Sequence, residues 1–161
     1  MRRTLVLSLL AISAIALLNS GHTAPARAFS GGGCTLTSTA GGFGFSYNGV
    51  AVTPSGNIPV GAVGKYHTDP AGNFTGDEIN SLAGAAAYQT LTGKITMSTN
   101  CSGELVAKVY QSGQLVRTSY IHLQYQDNGN QVLGIFEKLV LPDHTQLPVV
   151  ININGSRIST N

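Results

Sequence analysis

The stretch that decides the fold is Gly93–Lys138, GKITMSTNCSGELVAKVYQSGQLVRTSYIHLQYQDNGNQVLGIFEK. Four runs rich in Val, Ile, Thr and Tyr are broken at STNCSG, QSGQ and QDNGNQ. Alternating β-formers punctuated by Gly, Asn and Ser read as antiparallel strands joined by tight hairpins. If Asn100 closes on Glu104, Met97 faces Ala107 and Ile95 faces Val109. If Gln111 closes on Gln114, Val109 faces Val116 and Leu105 faces Tyr120. If Asp127 closes on Asn130, Tyr120 faces Glu137 and His122 faces Ile135.

Side chains alternate across a strand, so these pairings sort two faces. One face collects Ile95, Met97, Leu105, Ala107, Val109, Val116, Tyr120, His122, Leu133, Ile135, Glu137 and Leu139. The other holds Lys94, Glu104, Lys108, Arg117, Ser119 and Lys138, together with Ile121, Leu123 and Phe136. The first face, free of Lys and Arg, is expected to point inward.

Working outward, the same signals recur along the chain. Eight strands are expected at 42–52, 58–68, 73–80, 88–99, 104–111, 114–126, 131–141 and 147–158, behind an irregular N-terminal arm at 29–40. Ile79–Gln89 alone holds a weak helical signal, and it reads equally well as a loop. Asp69-Pro70-Ala71-Gly72-Asn73 suits a type I turn followed by a left-handed Gly. The fold class expected is therefore all-β: an eight-stranded, up-and-down antiparallel barrel, with a two-sheet sandwich as the alternative.

The N-terminus reads differently. Arg2 and Arg3 precede an apolar run, Leu5–Leu18, and small-residue sites around Ala24–Ala28. This is the pattern of a secretory signal peptide over 1–28, with a single domain over 29–161. The run is short for a span of about 20 residues, and no integral membrane span is expected after cleavage. Losing Arg2, Arg3 and Arg27 from the nine Lys and Arg leaves six against seven Asp and Glu. The basic balance belongs to the leader, and nucleic-acid binding is not expected. In an exported chain, Cys34 and Cys101 are expected to form a disulfide.

The predicted lumen sets Tyr120 and His122 beside Glu137 among Met97, Val109, Leu133 and Ile135. An enclosed carboxylate must pair, accept hydrogen bonds or take up a proton. The cluster would then orient a ligand's polar end or act as acid or base, unless its members simply satisfy one another. Pairing Asp69 with Asn73 sets Lys65 opposite Asp77 on the outside and turns Tyr66 and Glu78 inward. Glu78, near its strand end, is expected to reach solvent. The His spacing fits no zinc site, and no metal or cofactor is expected.

The segments GGFGFSYNG (41–49), VGAVGKYHTDPAGNFTG (60–76) and LTGKITMSTNCSGEL (91–105) carry a resemblance. Together they resemble bacterial secreted single-domain proteins of unknown function, regarded as calycin-like or allene-oxide-cyclase-like barrels. The resemblance runs from about Cys34 to Val140. It implies the barrel and assigns no catalytic residue. The leading expectation is a secreted barrel binding a small, mostly apolar ligand in its lumen. A cyclase- or isomerase-type enzyme using Glu137 and Tyr120, and a cavity-free surface protein, are the alternatives.

Overall fold

The structure, a computed structural model, describes residues 33–159. The leader expected over 1–28 lies outside them, as do residues 29–32 of the expected arm. Eight long strands follow one another: β1 (Gly41–Thr53), β2 (Gly56–Thr68), β3 (Asn73–Leu82), β4 (Ala85–Met97), β5 (Ser102–Gln111), β6 (Gln114–Gln126), β7 (Gln131–Val140) and, after the two-residue β8 (Gln146–Leu147), β9 (Val149–Ser159). Each pairs antiparallel with the next, and β9 pairs with both β7 and β1. The sheet therefore closes on itself as a barrel, which removes the sandwich alternative and leaves the long strands no open edge.

The turns show why the strands stop where they do. Asp69 accepts the Ala71 and Asn73 amides on Oδ1 at 2.9 and 2.8 Å and the Asn73 side-chain amide on Oδ2 at 2.6 Å. Gly72, at φ 83°, takes the left-handed position. Ala83-Gly84 and Ser112-Gly113 each place two residues at positive φ, the conformation of a two-residue hairpin loop. The weak helical signal at Ile79–Gln89 is thus a hairpin tip. In the β4–β5 hairpin the left-handed residue is Cys101, at φ 68°, with Ser98 N–H donating to the Ser102 carbonyl at 2.8 Å. The register there is Ile95 opposite Leu105, an even offset from the expected one, so the faces of β4 and β5 are as expected.

Face parity changes at two β-bulges in β6 and β7, and a third register shift near the end of β9 leaves Ile158 extra between Arg157 opposite Phe43 and Ser159 opposite Gly42. Tyr110 pairs with Leu115 but Val109 with Arg117, so Val116 is an extra residue. From there to the next hairpin β6 is inverted relative to the sequence reading, and Ser119, Ile121, Leu123 and Tyr125 face in. The β6–β7 hairpin has the expected register, His122 opposite Ile135, and passes the inversion on. Glu137 is the second extra residue, between Phe136 opposite Ile121 and Lys138 opposite Tyr120. A bulge bends its strand and re-aims side chains, which a closing barrel requires. Close strand approach also fixes one residue type: a Cβ at Gly93 would lie 2.1 Å from the Val106 carbonyl oxygen.

One end of the barrel is plugged. The one-turn helix α1 (Leu36–Thr39) follows Cys34, which is bonded to Cys101. Arg157 ties the plug down. It donates to the carbonyls of Ala40, Ser38 and Gly129 and to the Asn130 side chain, and it stacks on Phe43. Beneath it Phe43, Tyr66, Phe74 and Tyr125 fill the lumen, with Phe43 and Tyr66 stacked at 5.1 Å. Burial pushes the Tyr66 and Tyr125 hydroxyls above the usual phenol range.

Candidate functional site

The opposite end is open. A cavity of about 420 Å³ lies between the β1–β2, β3–β4 and β5–β6 tips and the β7–β9 connection, against a remnant of only about 30 Å³ deeper in the lumen. Its walls are apolar: Ala51, Val60, Leu82, Leu139, Leu147 and Ile151. Exposed Ala85, Ala86 and Gln111 stand at its rim, so it reaches solvent.

A polar network drawn from five strands forms its floor and climbs to Gln111 at the rim. Glu78 on β3 is 2% exposed and accepts on Oε1 from Arg117 Nη2 of β6 at 2.6 Å. Tyr47 of β1 donates its hydroxyl to the same carboxylate oxygen at 3.1 Å. The Tyr47 oxygen accepts from Arg117 Nη2 at 2.9 Å and from Asn80 Nδ2 at 2.8 Å. Arg117 Nη1 donates to Gln89 Oε1 on β4 at 2.8 Å, and Gln89 Nε2 donates to Gln111 Oε1 on β5 at 3.1 Å.

Burial disfavours ionisation of both acids in this network. It raises the Glu78 carboxyl above its ordinary value, opposed by Arg117 and the Tyr47 hydrogen bond. It also pushes the Tyr47 phenol well above its usual range, with Arg117 opposing and Glu78 adding to the rise. An ion pair under an apolar cavity, with Arg117 Nε and Asn80 Oδ1 left free to bond by the described residues, can orient a ligand's polar end without taking part in a reaction.

The sequence-predicted residues divide between the two faces. Val109 and Tyr66 are buried in the lumen, at 2% and 6% exposure. Met97 packs half-buried against the core near the plugged end, away from the mouth. Tyr120, His122, Glu137, Leu133 and Ile135 lie on the outer face, contrary to expectation, because the Val116 bulge inverts β6 and hence β7. There Lys138 lies over the Tyr120 ring at 4.4 Å, and His122 Nδ1 meets Glu104 Oε1 at 2.5 Å. The ligating atoms of Glu104, His122 and Glu137 come within 4.8 Å of one another on this exposed surface.

Glu78 does turn inward with Tyr66, as its turn implies, but it is buried rather than solvated. Lys65 and Asp77 meet outside at 4.0 Å, as expected. Arg117, assigned outward from sequence, is the partner that makes the burial of Glu78 tolerable. An inward acid demands a cation, and that demand was the available signal for Arg117.

No protein-family model matches the chain, and no curated protein matches it significantly. Among solved structures it is similar to EF1p2_mFAP2b, described as bound to DFHBI, with a TM-score of 0.54 and 9% identity. The match covers 77% of this chain and 99% of that one. At this identity the likeness speaks for the fold: a closed, eight-stranded antiparallel β-barrel, here with a disulfide-fastened plug at one end and a cavity at the other.

Proposed function

We propose that this chain is an exported β-barrel that binds a small, mostly apolar molecule in the open end of its lumen. The observation that carries the reading is the mouth cavity of about 420 Å³, apolar in its walls and polar at its floor. That size and division of labour are typical of small-molecule sites, which occur at the mouths of β-barrels. The similar barrel described as bound to DFHBI is compatible with it. Export is supported by the N-terminal sequence pattern and by the Cys34–Cys101 disulfide, since such bonds persist in oxidising compartments. No helix among the described residues is long and apolar enough to cross a membrane. Kinship with the calycin-like or allene-oxide-cyclase-like secreted proteins belongs to the same proposal, supported by the shared barrel form.

The test uses the neutral fluorescent probe N-phenyl-1-naphthylamine. Its fluorescence should rise saturably with one site per chain. Ala87→Phe, which fills the mouth, should weaken binding at least about tenfold, a change of about 1.4 kcal/mol. Ile135→Glu, on the outer face, should leave it unchanged. Non-saturable uptake, or loss of binding in Ile135→Glu alone, contradicts the reading.

A further inference from the structure

We propose that the mouth cavity selects an electrically neutral ligand: an apolar body bearing one hydroxyl or carboxamide group, docked on Arg117 and Asn80. This rests on the mouth being a ligand site and specifies the chemistry of that ligand.

Charge is the first argument. Among the described residues Arg117 is the one charged side chain lining the cavity, and Glu78 matches it from behind at 2.6 Å. The floor is therefore charged in its parts and neutral in sum. A ligand carboxylate would bring a third charge into an enclosure where the described residues supply no spare cation. A ligand ammonium would meet the guanidinium face first. Either leaves an uncompensated charge out of water, which is costly.

Hydrogen-bond capacity is the second. The Tyr47 hydroxyl proton is committed to Glu78, so Asn80 must present its N–H₂ to the Tyr47 oxygen. That fixes the amide orientation and leaves Asn80 Oδ1 without a partner among the described residues. Asn80 is only 5% exposed and lines the cavity. On the donor side, Arg117 Nε likewise has no acceptor among the described residues, and its side chain lines the same space, whereas the unpaired Gln111 Nε2 stands at the exposed rim. The floor thus offers the mouth an uncharged acceptor, Asn80 Oδ1, beside a donor, Arg117 Nε, while the free Glu78 Oε2 belongs to a side chain that lines the deeper remnant and not the mouth. A hydroxyl or a carboxamide answers both at once, whereas a carboxylate only accepts and an ammonium only donates.

Isothermal titration of the intact protein with n-decanol, decanamide, decanoate and decylammonium tests this without altering the fold. Decanol and decanamide should bind at least about tenfold tighter than the two ions, because buried polar groups left unpaired penalise the wrong head group. Their affinity should stay flat between about pH 6 and 8, with no net proton exchange on binding. If decanoate binds as tightly as decanol, above all with uptake of one proton, Glu78 neutralises to admit an anion. That overturns the inference while the mouth remains a ligand site. If none of the four binds while N-phenyl-1-naphthylamine still does, the inference falls and the mouth remains a ligand site; if the probe fails too, both fall.

Discussion

Arg117 Nη2 and Glu78 Oε1 meet at 2.6 Å inside the barrel, bringing together two strands that are not neighbours in the sheet. Arg117 reaches this position because one extra residue, Val116, turns β6 over. The pair sets the floor of the mouth and fixes which side chains can lie beside it. Breaking it should be costly. Arg117→Met leaves the 2%-exposed Glu78 carboxylate without its cation and should destabilise the fold by about 3–5 kcal/mol in urea unfolding. Adding Glu78→Leu should return most of that loss, since an apolar pair of similar volume can replace a buried ion pair. A double variant no more stable than the single one would show that the pair is not coupled as described.

The same carboxyl predicts a pH slope. Burial raises Glu78 above 4.5, so the folded protein holds that proton to higher pH than the unfolded chain does. Its contribution to stability is fullest below 4.5 and falls as pH rises toward its raised folded value. Asp69 runs the other way. Its hydrogen bonds, led by that from the Asn73 side chain, hold it below 3.8, so its contribution is present above 3.8 and lost as pH falls further. Urea midpoints measured across this range should show the two trends in separate windows. Glu78→Gln should flatten the upper trend and leave the lower one intact.

The disulfide joins positions 67 residues apart and fastens the plug. Closing so long a loop in the unfolded chain corresponds to about 4 kcal/mol on the chain-entropy account. Replacing both cysteines with Ala should lower the unfolding free energy by about that amount, measured against wild type without reductant. Hydrogen exchange should rise first at Thr39 and Tyr125, whose amides donate to the Thr35 and Cys101 carbonyls beside the bridge, rather than at the mouth.

Gly93 offers a local test of barrel closure. Its would-be Cβ meets the Val106 carbonyl, backbone that cannot rotate aside. Gly93→Ala should cost about 1–3 kcal/mol and lower the melting temperature, although Ala is the better residue in an ordinary strand. An unchanged melting temperature would mean β4 and β5 are farther apart than described.

These relationships explain what the sequence disclosed. Turn chemistry was legible because it is local: Asp69 to Asn73 and Gln111 to Gln114 each dictate their own bend, and strand limits follow within a few residues. Closure by β9 against β1 was not, because no turn links them and the pairing satisfies backbone groups from opposite ends of the chain. The bulges were the hidden element. Val116 and Glu137 carry no distinctive local signal, yet one inserted residue exchanges the faces of everything up to the next compensating one. Hence Val109 and Tyr66 were placed correctly while Tyr120, His122, Leu133 and Ile135 were not. Leu139, beyond the second bulge, faces inward as expected because the two errors cancel.

The most direct measurement is where a bound molecule sits. Intermolecular nuclear Overhauser effects from N-phenyl-1-naphthylamine to methyl groups resolve the two faces of the sheet. The account predicts contacts to Ala51, Ala87 and Leu147 at the mouth. Contacts instead to Leu133 and Ile135, on the outer surface beside His122, would contradict it.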